Sequence, residues 1–295
     1  MSGTGVDRMS AASARWRRVM QNWRRFTMNR LATFGLLLAG GMILLALLAP
    51  VIAPVGPFDI GGARLAEPGG LHWFGTDHLG RDIFTGVLYG TRTSLLVGLL
   101  SVLIALSIGI FVGAIAGYYG GRIDDLLMRL TEVFQVMPRF FLALIVVAIF
   151  GANIWGIIFV IGILNWSEIA RLLRAEFLTL RERPFVTAAR AYGARDREII
   201  VMEILPNAIT PIVVAGSLQV ASAILLEAAL GFLGVGDPNV MSLGSMLNNA
   251  QQYLRQAWWT VTFPGVALCL LTLGIALLSD GLNDSLNPRL KELGL

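Results

Sequence analysis

Uncharged apolar runs of about twenty residues recur along this chain, and they decide most of what it can fold into. Leu31 to Ala53 is the first of them. Wound as an α-helix at about 1.5 Å per residue, such a run matches the roughly 30 Å hydrocarbon layer of a bilayer. Inside that layer every backbone N–H and C=O must be bonded within the protein, so the runs are expected to be helices. Charged residues make up 14% of the 295 positions and the mean hydropathy is +0.71, whereas a soluble domain carries about a quarter charged residues. The expected fold class is all-α: a polytopic membrane helix bundle.

The runs predict six spans, at about 31–53, 94–117, 127–150, 154–173, 207–233 and 261–283. The third carries Arg129, Glu132, Pro138 and Arg139, and the fourth ends in Glu168 and Arg171. The first is too long for the core of a secretory signal, and no Ala-x-Ala-like site with a soluble domain follows it. It is expected to stay as an uncleaved span. With the N-terminus inside, eighteen of the 23 basic residues fall on the cytoplasmic side and four outside, at Arg64, Arg81, Arg92 and Arg255. That asymmetry predicts an N-in, C-in arrangement. The chain divides accordingly into a cytoplasmic basic segment (1–30), a first transmembrane helix with an external loop (31–93), a five-helix core (94–283) containing a cytoplasmic loop (174–206), and a cytoplasmic tail (284–295).

What is scarce narrows the chemistry. Cys269 is the single cysteine, inside an apolar run, and His72 and His78 are the two histidines, too few for a disulfide framework or an ordinary zinc site. No metal is expected. Lys291 is the sole lysine and no Gly-x4-Gly-Lys-Ser/Thr precedes it, so a phosphate-binding loop is absent. The net charge of +4 sits on membrane flanks, which gives a simpler reading than nucleic-acid binding.

The loop between spans four and five is the most informative stretch. Pro184 suits the first turn of a short helix, and Gly193 supplies a left-handed stop. Asp196 is expected to N-cap a second short helix, with Glu198 in its first turn, and Pro206 to stop it before the next span. Ala188, Ala189 and Gly193 give the first helix a small-residue surface flanked by Arg190 and Tyr192. Such a surface either seats in a groove of a partner protein or remains a solvated loop. Elsewhere, Gly109-x3-Gly113-x3-Gly117 sets small residues on one face of the second span, where another helix can approach closely.

Thr187-Ala188-Ala189-x3-Gly193-x9-Glu203-Ile204-Leu205-Pro206 resembles the EAA loop of ATP-binding-cassette importer permeases. Its spacing holds throughout, but Thr187 replaces the leading acid and Glu203 takes a usually apolar position. The resemblance implies a coupling helix that docks on an ATPase subunit, with Pro184, Ala188, Ala189, Arg190, Gly193, Asp196, Leu205 and Pro206 in the coupling element. Three more motifs flank it. They are Phe74-Gly75-Thr76-Asp77-His78-Leu79-Gly80-Arg81-Asp82, Leu226-Glu227 through Gly236, and Ala257-Trp258-Trp259-x4-Pro264-Gly265. With the final Asp280-Gly-Leu-Asn-Asp284-x3-Pro288-Arg289, they resemble the C-type permease of dipeptide, oligopeptide and nickel importers.

That branch implies a B-type permease as heterodimer partner, two ATP-binding subunits holding ATP and Mg, an extracytoplasmic solute-binding protein, and residence in the bacterial inner membrane. This chain itself would bind no cofactor and hydrolyse nothing. Peptides are the expected cargo, with nickel chelates or other small solutes as the alternative.

Several residues carry two readings. Gly75, Thr76, Asp77, Gly80, Arg81 and Asp82 either hold an external turn or touch the binding protein. Trp258 and Trp259 sit where interfacial anchors belong. Glu227, an ionisable group within a span, either lines the translocation pathway or makes an interhelical hydrogen bond. Arg139 either pairs with Glu132 or Glu168, or lines an inner cavity, and both Arg139 and Glu132 are candidates for the translocation pathway. A secondary transporter would need inverted repeats, and a membrane enzyme a nucleophile–base set or metal cluster; the sequence shows neither.

Overall fold

The computed structural model describes Met20 and residues 26–286. Arg8, Arg15, Arg17, Arg18, Arg24 and Arg25 of the basic segment, and Pro288, Arg289 and Lys291 of the tail, lie outside the described residues. Among those described there is no strand, and only isolated bridges such as Thr76 to Asp82 interrupt the helical pattern.

Helix α1 (Arg30–Ile52) is capped by Asn29, whose Oδ1 accepts from the N–H groups of Leu31 and Ala32. Helices α2 (Ile83–Tyr119), α3 (Gly121–Val136), α4 (Arg139–Phe150) and α5 (Ile154–Leu180) follow. The short α6 (Pro184–Ala191) and α7 (Asp196–Glu198) lead through a π-helical turn (Ile199–Ile204) into α8 (Leu205–Phe232). Then come α9 (Leu243–Ala250) and α10 (Trp259–Leu286). Five helical stretches are long and apolar enough to cross a membrane, and α3 with α4 makes a sixth if the bent pair counts as one crossing.

Four predicted spans differ from the structure; the fourth, expected over 154–173, runs on to Leu180, into the stretch expected as loop. The second starts at Ile83 rather than near residue 94, because Asp82 caps it: its Oδ2 accepts from the N–H and hydroxyl of Thr85 at 2.8 and 2.9 Å. Polar residues hide this first part from a hydropathy reading, yet Thr91 and Thr93 return their hydroxyls to carbonyls one turn back. The third, expected unbroken over 127–150, is two helices meeting at 84°. Pro138 offers no N–H and forces Met137 out of the helical region, to φ −74°, ψ 132°. The fifth is longer than expected. Pro206 does not stop the preceding helix, and Asp196–Phe232 runs on as one. Leu205 N–H reaches back to Ile200 C=O, a widened turn that accommodates a proline in the first turn of α8.

Small residues set the closest helix pairs. A Cβ on Gly109, Gly113 or Gly117 of α2 would collide with Ile169, Ala170 or Phe177 of α5, and one on Gly162 of α5 with Ile104 of α2. On the other side, Gly35 and Gly274 bring α1 and α10 together, and Asn29 donates to Asp284 Oδ2 at 3.1 Å across the same pair. The main core lies between α2, α5 and α8, around Val97, Ile161, Leu164 and Ile224. Leu37, Phe111, Phe141 and Phe159 point outward, as lipid-facing residues do.

Candidate coupling surface and polar sites

Helix α6 begins with Pro184 at its first position and ends at Gly193, where φ is 82°. Gly193 N–H bonds Arg190 C=O and Ala194 N–H bonds Ala189 C=O, the pairing of a Schellman stop. One face of α6 is buried through Val186, which packs with Phe177, Ile199, Ile204 and Ile212. The opposite face presents Thr187, Ala188, Ala191 and Gly193, with Tyr192 at 92% exposure. Ala189 is half-buried between the two.

The element is strapped to the bundle. Tyr118, at the end of α2, donates its hydroxyl to Asp196 Oδ1 at 2.6 Å, and the Arg190 guanidinium lies 5.6 Å from the centre of its ring. Arg181 Nη1 donates to the Gly117 carbonyl at 3.0 Å, satisfying one of the open C=O groups at the end of α2. Arg174 of α5 grips Asp124 of α3 with two hydrogen bonds of 2.5 and 2.6 Å. Asp196 is therefore not the N-cap expected of it. Arg195 holds that position, and Glu198 closes the turn by accepting from Arg195 N–H at 2.9 Å. Leu205 and Pro206 open α8 directly behind this segment.

At the opposite end of the bundle, the Gly75–Asp82 motif folds on itself. Thr76 is fully buried; its hydroxyl donates to Ala63 C=O and accepts from Ala66 N–H. Asp77 Oδ1 accepts from the N–H groups of Leu79 and Arg81. Gly75 and Gly80 adopt φ of 75° and 85°, and the Arg81 guanidinium sits 5.0 Å from the Phe58 ring centre. Trp259 is 3% exposed and donates its indole N–H to Thr76 C=O at 3.2 Å. It is a strut between this loop and α10 rather than an interfacial anchor; Trp258, 55% exposed, keeps a surface position. His72 contacts the capping Asp82 at 2.9 Å, and His78 stacks on Tyr253. The described residues contain no group of three or more metal-binding side chains.

Glu227 faces the interior of the chain's own bundle. It is 4% exposed and accepts from Ser94 Oγ of α2 at 2.9 Å. Nearby Gly231 and Gly244 let α8 and α9 touch backbone to backbone. Arg139 pairs with Glu168 at 2.5 Å and with Asn165 at 3.2 Å. Glu132 is exposed and borders, with Asp125, Arg129, Arg171 and Arg174, a cavity of about 640 Å³ between α3 and α5. The partners Tyr118, Ser94, Asn165 and Gln219 had no signal in the sequence.

The chain thus combines an all-helical bundle, an exposed small-residue helix at one end and a folded loop at the other. Residues 109–292 match the model of the binding-protein-dependent transport system inner membrane component. The chain belongs to that family. Residues 15–68 match the N-terminal transmembrane domain of oligopeptide transport permease C. The permease is 40% identical over 288 residues to a dipeptide transport system permease protein of Alkalihalophilus pseudofirmus, covering 97% of this chain and 93% of the relative. It is also 40% identical to a di/tripeptide transport system permease protein of Pseudomonas aeruginosa, covering 92% of each. A methionine ABC transporter solved in inward-facing conformations shares the fold at 20% identity, with a TM-score of 0.54 over 68% of this chain and 96% of that one. The permease is therefore a multi-pass membrane subunit of an ABC importer, a class that works with a second permease, an ATPase and a binding protein.

Proposed function

We propose that this permease imports peptides, forming half of a pathway completed by a B-type permease in a heterodimer. Two ATP-binding subunits carry ATP and Mg, an extracytoplasmic binding protein delivers the cargo, and this chain holds no cofactor and hydrolyses nothing itself. The observation that carries the reading is α6: a small-residue face left open over a buried Val186, held to α2 and α5 by Tyr118, Arg190 and Arg181. A partner pressing on that face moves two long helices with it, as a lever requires. Peptide as the cargo rests on the names of the relatives. In this reading the α6 end faces the cytoplasm, both termini lie inside, and the bent α3–α4 pair makes the sixth crossing. Pro184, Ala188, Ala189, Arg190, Gly193, Asp196, Leu205 and Pro206 form the coupling element. The Gly75–Asp82 motif shapes the external loop.

Cysteines placed at Ala188 and Ala189 should crosslink to the ATPase subunit in a nucleotide-dependent way. No crosslink at either, or at neighbouring positions of α6, would sink the docking assignment. Uptake of a labelled dipeptide should stop with vanadate and persist when ion gradients are collapsed; the reverse pattern would point to a secondary transporter.

A further inference from the structure

An ion pair joins the start of α4 to the middle of α5 and is not shut away. Glu168 lies 14 residues from the start of α5 and 12 from its end, and Gln219, bonded to it, 14 and 13 residues from the ends of α8. Glu168 Oε1 accepts from Arg139 and Oε2 from Gln219 Nε2 at 3.2 Å. Arg139 adds a bond to Asn165, and Gln219 a second to the Asn165 carbonyl. The side chains of Arg139 and Glu168 are nevertheless 31% and 46% exposed. Charges on membrane-crossing helices are expensive against hydrocarbon, and they face a watered path or a polar neighbour instead. The face of α5 carrying Glu168 continues one turn on to Arg171, an exposed residue on the charged cavity that Glu132 and Arg129 also border. Glu227, by contrast, is enclosed.

We infer that Glu168 is the pathway carboxylate that receives the α-ammonium of a passing peptide, with Arg139 as its resting counter-ion. This rests on the peptide reading above. An ammonium is compact and brings three donors; when it takes over the carboxylate, Arg139 retains its bond to the Asn165 side chain. Gln219 is 7% exposed, and its Oε1 is buried beside the carboxylate with no donor among the described residues. Arg139 is the first residue after the 84° break, where a change of partner is coupled to how α4 leaves α3.

The test uses the full complex in proteoliposomes with its binding protein and a radiolabelled dipeptide with free termini. Glu168→Gln keeps the shape and the acceptor for Arg139, at the loss of the bond donated by Gln219 Nε2, so the complex should still assemble. Uptake should fall about tenfold or more, the loss expected from one charged hydrogen bond. The double variant Arg139→Glu, Glu168→Arg keeps an ion pair but moves the carboxylate across to α4; it should assemble and still fail to transport. Uptake restored in the double variant, or undiminished in Glu168→Gln, would overturn the assignment. Failure of both variants to assemble would make the pair structural and overturn it equally. A wild-type complex that assembles and hydrolyses ATP but moves no dipeptide would instead overturn the peptide reading, and this inference with it.

Discussion

Single residues in this chain do their work through backbone geometry and enclosed polar pairs. Gly193 is one position where glycine is required, since its φ of 82° ends α6 and turns the chain toward α7. Its neighbourhood is open, with no atom near the place a Cβ would occupy, so a larger residue costs backbone strain of about 1–3 kcal/mol rather than a clash. Gly193→Val is expected to leave the complex assembled while ATP hydrolysis no longer drives uptake, seen as a raised ratio of ATP consumed to peptide accumulated. Glu227 poses the opposite case. Its Ser94 hydrogen bond survives in Glu227→Gln, and uptake at limiting substrate should stay near wild type. A large loss in that variant would show that the carboxylate meets the substrate after all. Glu227→Leu, in contrast, strands the buried Ser94 hydroxyl at a cost of about 1–3 kcal/mol, and should lower the amount of assembled complex.

Among the elements, the continuous helix Asp196–Phe232 matters most. A stop at Pro206 would have left the coupling segment hinged from the span behind it. The π-helical turn at Ile199–Ile204 removes that hinge, so displacement of α7 is carried straight into α8. Tyr118 joins the same segment to α2 through Asp196 and Arg190. Tyr118→Phe keeps the ring and deletes the hydroxyl bond, worth about 1 kcal/mol or somewhat more because the acceptor is charged. The complex should assemble normally, with crosslinking from Ala188 less sharply nucleotide-dependent and more ATP spent per peptide. Equal coupling ratios for the variant and wild type would show that α6 and Val186 suffice. The α3–α4 break carries a different message: a 12-residue α4 is only about 18 Å long, so it crosses only together with α3 or with a neighbour beside it.

For the whole molecule, the arrangement of ends can be tested directly. Replacing the exposed Cys269 by serine gives a thiol-free background. A cysteine at Asp59 should then react with a membrane-impermeant maleimide added to intact cells, and one at Glu182 only after the membrane is opened. Labelling of both from the same side would overturn the proposed topology. Much of this architecture was legible beforehand, because bilayer thickness converts directly into run length. The loop at 184–206 was readable for a similar reason: its proline, glycine and small residues act locally. The sequence by itself therefore determined that the chain is a helical membrane bundle with a breakable loop between spans four and five. Tertiary structure alone decided which polar groups meet. Asp196 answers to Tyr118 across 78 residues and Glu227 to Ser94 across 133, while Arg139 takes Glu168 of its two candidate partners. Those distances close only when α2, α5 and α8 pack at glycine contacts, and no local pattern records which faces will touch.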